Sequence, residues 1–348
     1  MNKIGYIICI LGLFTACTEE VVENEADQFT VTSESEGEMD KTDLLSLAES
    51  DPNNIQLWIN LGRFCKENLD FACALDAGAK SFRLDSTNLE ARSLYAWTLI
   101  NKPEPPLIDI ERAKRHYKYV LAAQPKNKEV LVELGNAYSL TGDFEAAFTH
   151  INNALRIDEE YRDAYILKGS IYRVVENYDL ALSSYQTAVR LDPGYFMSNL
   201  QTGYLLTEME NHQLALEYYQ NAAEIDPASI EALYGVAKSF QDAGQYDEAQ
   251  VVYREILEID PSFFISYFNQ GFIKQYYVHE LDSAVYYYNK CLTKQPEYVK
   301  AWHQLGETYY MQERYADAAK AFTEVLHLNP DYEPTLRAKE KLRNKPVK

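Results

Sequence analysis

A small residue returns along this chain at Gly62, Ala96, Gly135, Gly169, Gly203, Ala237, Gly271 and Gly306, at intervals of 34, 39, 34, 34, 34, 34 and 35 residues. An alanine follows each of them, twelve residues on in most units: Ala74, Ala113, Ala147, Ala181, Ala215, Ala249, Ala284 and Ala318. Four positions further stands a large side chain, at Tyr117, Ile151, Tyr185, Tyr219, Tyr253, Tyr288 and Phe322, with Gly78 as the exception. A proline closes most units, at Pro125, Pro193, Pro227, Pro261, Pro296 and Pro330, while Ser86 and Glu159 replace it in two. Self-similarity at such a period means a stack of small identical pieces, each too short to bury its own apolar face.

The length of the period fixes the piece. Two helices of about thirteen residues and two short turns make one such unit. A small residue on the first helix and alanine on the second let the two axes approach closely, and the Tyr or Phe fills the gap to the next unit. The residue before a proline is driven out of the helical region, so Asp-Pro ends the second helix. With 14 Gly and 12 Pro in 348 residues, there are too few turn formers for an all-β array.

These positions resemble the tetratricopeptide repeat family. The match is nearly complete in the last unit, where Trp302, Leu305, Gly306, Tyr309, Ala318, Phe322 and Pro330 take the signature places. The resemblance implies an all-α fold, a right-handed superhelix (α-solenoid) of about eight helix–turn–helix repeats over residues 55–332. Their expected bounds are 55–88, 89–127, 128–161, 162–195, 196–229, 230–263, 264–298 and 299–332. Residues 42–54 read as an amino-terminal capping half-repeat. Residues 333–348 read as a capping helix and tail, with Leu336 and Leu342 expected to cover the apolar edge of the last repeat. The second repeat carries five extra residues, placed by Pro103-Glu104-Pro105-Pro106 in the turn between its helices. The seventh carries one, expected as a turn adjustment near Val278–Leu281.

The first forty residues follow another logic. Ile4–Phe14 is an apolar run of eleven, too short to span a bilayer but suited to a secretory signal. Phe14-Thr15-Ala16-Cys17 resembles the lipobox of bacterial lipoproteins, departing from it where Phe14 stands in place of Leu. The resemblance implies a signal peptide over 1–16, lipid on Cys17, and a place in the bacterial cell envelope. Thr18 is not Asp, which favours the outer over the inner membrane. Residues 17–41 are acid-rich without apolar periodicity and read as a flexible tether.

Chemistry is absent where motifs would show it. There is no GxxxxGK[ST], HExxH, GxSxG or CxxC, and the six histidines are scattered over five repeats without ligand spacing. No enzyme activity, cofactor or metal is expected. A net charge of −20 disfavours nucleic acid, whose phosphates need excess cations. Cys65 and Cys73 lie on the paired helices of the first repeat, where an oxidising envelope could join them; their register favours buried free thiols.

In the family, positions 2, 5, 9, 12 and 13 of each repeat face the concave groove, one helical stripe. With the small residue as position 8, the expected lining is Ile166, Arg173, Leu200 and Tyr204 in repeats four and five. Repeats six to eight add Tyr234, Lys238, Phe268, Phe272, Tyr276, His303 and Tyr310. Rings supply contact area at low entropic cost and the isolated cations could orient a peptide. Alternatively, neighbouring first helices pack these rings against one another. Position 5 holds no Lys in any repeat, so the carboxylate clamp of chaperone-binding relatives is missing. The expected partner is a protein or peptide held by a lipid-anchored scaffold that serves envelope assembly. A nutrient-capturing surface lipoprotein, for carbohydrate or peptide, and a non-catalytic subunit of an envelope enzyme complex are the alternatives. Oligomeric state is not legible.

Overall fold

The computed structural model describes residues 39–68, 70–343 and 345, so the expected signal peptide, Cys17 and nearly all of the expected tether lie outside the described residues. Among the described residues every regular element is helical: eighteen α-helices and one short π segment. None of these helices is long and apolar enough to cross a membrane. The chain divides into two compact units, through Ser198 and from Asn199.

The first unit opens with α1 (Lys41–Ser50), which buries Leu44 and Ala48 against the first repeat. Then come α2 (Ile55–Glu67), α3 (Phe71–Leu84), α4 (Leu89–Ile100), α5 (Leu107–Ala123), α6 (Lys128–Ser139), α7 (Phe144–Ile157), α8 (Arg162–Val174) and α9 (Tyr178–Leu191). The division falls within α10 (Phe196–Glu208). The second unit continues with α11 (His212–Ile225), α12 (Ile230–Asp242), α13 (Tyr246–Ile259), α14 (Phe264–Ile273), the π segment Lys274–Val278, α15 (Leu281–Lys294), α16 (Val299–Met311), α17 (Tyr315–Leu328) and α18 (Glu333–Leu342).

Each hairpin is closed by the residues that carry the period. All eight recurrent alanines are fully buried. The large residue four positions on does not reach only toward the next unit. In several repeats its ring lies over the glycine of its own hairpin, where a Cβ on Gly169 would meet Tyr185 at 2.6 Å and one on Gly306 would meet Phe322 at 2.5 Å. Ring and glycine are thus two halves of one contact. In the first repeat, where Gly78 replaces the ring, Leu94 of the next repeat comes in over Gly62 instead.

The hairpin turn has a rule of its own. Seven residues after the small residue, the backbone takes the left-handed conformation at Gly142, Glu176, Glu210, Gly244 and Glu313, with φ between 60° and 77°. The next residue caps the second helix, and Asp143, Asn177 and Asn211 do so with side-chain acceptors. At the far end, Asp85, Asp158, Asp226 and Asp260 stop the helix and accept the N–H two residues on, at 2.8 to 3.1 Å.

Four expectations change. The five extra residues of the second repeat are not all turn: α5 has 17 residues against 14 in α3, and residues 101–106 form the longer connection. The single extra residue of the seventh repeat is absorbed in the helix ladder as the π segment, which moves the left-handed joint to His279. Cys65 and Cys73 are not free thiols. They sit in the last turn of α2 and the first turn of α3, and the tight hairpin sets their Cα atoms 5.8 Å apart, bridged as a disulfide. In the last helix Thr335, Ala338 and Leu342 are the buried face, whereas Leu336 is 43% exposed because it falls between those positions.

Candidate functional site: the face of the first helices

In the first unit the expected stripe is mostly interior. Ile166 is wholly buried. Adjacent first helices touch there, α2 with α4, α4 with α6 and α6 with α8, and an aliphatic side chain at position 5 ends inside that seam. Leu200, which belongs to the second unit, is 4% exposed. Neither can be part of a ligand surface; both are corrected to packing residues. Arg173 is half-buried in the last turn of α8.

What the first unit does present on this face is charge. The Lys66 ammonium lies 3.4 Å from the Glu133 carboxylate and 5.4 Å over the Trp97 ring. Arg162 grips Asp163 at 2.9 Å and also reaches Asp192, the C-cap of α9. Burial pushes the Glu133 and Asp163 carboxyls above their ordinary range, although Lys66 and Arg162 pull the other way. Asp163 and Glu133 stand at positions 2 and 6. Neither was expected in the lining, because their pairing depends on neighbouring repeats.

In the second unit the stripe is aromatic and partly open. Phe268, Phe272 and Tyr276 follow one another at single-turn spacing, with centroids 6.5 and 4.7 Å apart. The Tyr276 hydroxyl donates to Gln304 of α16 at 2.9 Å, while its ring stays 39% exposed. Phe268 also meets Tyr288 and Tyr298, and Tyr234 meets Phe263 edge-on at 5.9 Å. Tyr204 stands edge-on to Tyr219 at 5.7 Å. Both expected behaviours coexist: the rings pack on one another and still leave faces to solvent. Lys238 is bound to Asp242 one turn along and so is not an isolated cation.

At the end of the array the stripe is occupied by the chain itself. The His303 ring shares a 2.8 Å hydrogen bond between Nδ1 and the Thr335 hydroxyl of α18 and lies edge-on to Tyr332. Burial lowers its pKa. Tyr310 packs against Tyr315, and the Lys345 ammonium lies 5.7 Å from both rings. His303 is therefore a cap contact.

Position 12 has an unexpected use. Gln241 accepts from the buried Tyr253 hydroxyl at 2.8 Å, Gln275 from Tyr288 at 2.7 Å, and Thr207 meets Tyr219 at 3.1 Å. A stripe residue satisfies the core tyrosine of its own repeat. Tyr117, in the repeat whose position 12 is Ile100, keeps a buried hydroxyl with no partner.

Among the described residues one set of metal-ligand atoms converges: Cys65 Sγ, Asp70 carboxylate and Cys73 Sγ, within 4.8 Å. The sulfurs are bonded to each other, and Asp70 holds Lys41 and the Cys73 N–H. No thiolate is left to bind metal; the group is a staple.

This architecture defines a class: an array of tetratricopeptide hairpins that offers the face of its first helices. Tetratricopeptide-repeat family models match residues 166–230, 206–267 and 299–332. Residues 45–164 match the model described as the cytochrome c-type biogenesis protein H TPR domain. None of the curated proteins compared with the chain matches it. Among solved structures, the C-terminal part of a TPR repeat-containing protein from Cytophaga hutchinsonii is 16% identical with a TM-score of 0.57, over 66% of this chain and 94% of that one. A chain of the APC/C hetero-tetramer Cut9–Hcn1 gives 15% identity and a TM-score of 0.57, over 87% of this chain and 58% of that one. MamA is 28% identical over 44% of this chain and 90% of its own, with a TM-score of 0.40. The chain carries tetratricopeptide repeats, and its fold is theirs.

Proposed function

We propose that this chain is a non-catalytic scaffold, anchored in the bacterial cell envelope by lipid on Cys17, that holds a protein or peptide partner on its aromatic stripe. The partly open ladder Phe268–Phe272–Tyr276 carries the reading. Three rings at one-turn spacing, tied at their end to Gln304, form a pre-ordered apolar strip suited to an extended segment or a helix. The mechanism is recruitment: the lipid fixes the place, the acidic tether gives reach, and the hairpins present the strip.

Two observations support the envelope. A disulfide persists in oxidising compartments and is rare in the cytosol, and Cys65–Cys73 is one. The model matched over residues 45–164 is named for a cytochrome c biogenesis protein. The outer membrane is favoured over the inner by Thr18, and nucleic acid is disfavoured by the charge of −20.

In-cell crosslinking with mass spectrometry, comparing wild type with Phe272→Ala/Tyr276→Ala, tests the strip. Loss of specific crosslinked partners is expected, and identical partner sets would overturn the assignment. Cys17→Ser should release the protein from the membrane fraction; continued sedimentation with membranes refutes the anchor.

A further inference from the structure

The single residue added to the seventh repeat does more than lengthen it. Because the chain widens to a π turn at Lys274–Val278, two consecutive tyrosines face outward, Tyr276 at 39% and Tyr277 at 47% exposure. Tyr276 completes the ladder. Tyr277 crosses to the preceding hairpin and stacks on Tyr246 with centroids 4.0 Å apart and planes 20° from parallel. It also stands edge-on to Phe272 at 6.1 Å, so the pair is continuous with the ladder. Wide turns of this kind concentrate at functional sites.

Beside the stacked pair is a hollow of about 570 Å³, lined by Gln245, Tyr246, Asp247, Glu248, Tyr277 and Val278 with Gly244 at its rim. The rim is open: a Cβ added at Gly244 would meet nothing within 4 Å. The lining holds two carboxylates and no cation. Lys238 pairs with Asp242, and Lys274 of the π segment with Glu280 at 2.9 Å. An aromatic face flanked by unneutralised carboxylates attracts a flat cation, which stacks on the ring and accepts both charges. We infer that this hollow receives an arginine side chain from a basic segment of a protein partner. It is a second contact beside the ladder and stands without it.

The test uses the full chain and fluorescence anisotropy, near physiological ionic strength, with a labelled Gly-Arg repeat peptide and the same peptide with citrulline in place of arginine. The arginine peptide should bind and the citrulline peptide should not. Tyr277→Ala leaves the net charge untouched and should weaken binding about tenfold, within the range of a cation–π contact. Tyr277→Phe keeps the ring and should bind like wild type; it decides the matter if the alanine variant melts differently. Asp247→Asn/Glu248→Gln should weaken binding at least as much. Glu324→Gln/Glu340→Gln removes two exposed charges far along the chain and should leave binding within about twofold. Equal affinity of Tyr277→Ala and wild type overturns the inference. So does an equal loss in both charge pairs, which would reduce the binding to diffuse attraction by an acidic protein. Because the probe is measured directly, a failed partner crosslink at the ladder leaves this result standing.

Discussion

Tyr219 is held between two glycines, and that gives a sharp prediction. A Cβ built on Gly203 falls 2.7 Å from the ring, and one built on Gly235, in the next repeat, falls 2.4 Å from it. Ordinary contact begins at 3.4 Å, so each added methyl overlaps the ring by about 0.7 to 1.0 Å. The ring is 3% exposed and lies within 2.7 Å of the Cβ position of both glycines, so it has little room to yield. Overpacking of this kind costs about 1–3 kcal/mol, and a clamped ring belongs at the upper end. Alanine recovers about 1 kcal/mol of helix propensity over glycine. Gly203→Ala should therefore destabilise by about 2 kcal/mol net. In a Tyr219→Ala background the obstruction is gone, and the same change should stabilise by up to about 1 kcal/mol, a coupling near 3 kcal/mol. Urea unfolding followed by far-UV circular dichroism measures all four corners, with the slope monitored because repeat arrays can unfold in parts. If Gly203→Ala is neutral or stabilising in the wild-type background, the ring does not lie on the glycine and the account of the hairpin is wrong.

Gly78→Ala is the contrasting case: its Cβ would meet Leu94 and Thr98 at an ordinary 3.4 Å, so about 0.5–1 kcal/mol of stabilisation is expected by the same assay. Tyr117→Phe removes a buried hydroxyl with no partner and should raise the unfolding free energy by about 1 kcal/mol, whereas Tyr288→Phe breaks a bond to buried Gln275 and should lower it similarly. Reducing Cys65–Cys73, whose partners are 8 residues apart, should cost about 2.5 kcal/mol on the chain-entropy view, and a non-reduced peptide map should recover the linked peptides. Burial, then the nearby charges of Arg92, Arg112 and Arg115, push His116 down to about 4, so NMR titration should find it neutral at pH 6 and charging only near pH 4. Asp158 is held low chiefly by Lys128, so its folded pKa is depressed: its contribution is present above the unfolded value near 4 and is lost as pH falls through the folded one. Asp158→Asn should flatten that acid limb of a melting-temperature profile.

The hairpins were legible because every one after the first repeats the same three choices of residue: small, alanine and large. Gly169, Ala181 and Tyr185 mean the same thing wherever they recur, so the pattern alone located the core. The open face was not legible to the same degree. Ile166 and Phe268 hold the same position in their repeats, yet the aliphatic ends inside the seam between helices and the ring extends past it. His303 was lost to the site because a later helix covers it. Cys65 and Cys73 were misread because their distance depends on how tightly α2 turns into α3, which no spacing rule states. The π segment was placed in the turn for a related reason: an extra residue is invisible until the ladder that absorbs it is seen.

The left-handed joint at the foot of the first helix in repeats three to eight also bears on how such a chain can change. Whatever happens upstream of it, the next residue starts the second helix, and the recurrent alanine follows four positions later. In the seventh repeat the joint sits one residue late at His279, yet Glu280 still opens α15 and Ala284 is still fully buried. The joint acts like a typographer's margin: a line can gain a character and the next still begins in the same column. Insertions before it are thus a tolerated route to novelty, and the two outward tyrosines of the seventh repeat are what one added residue produced there.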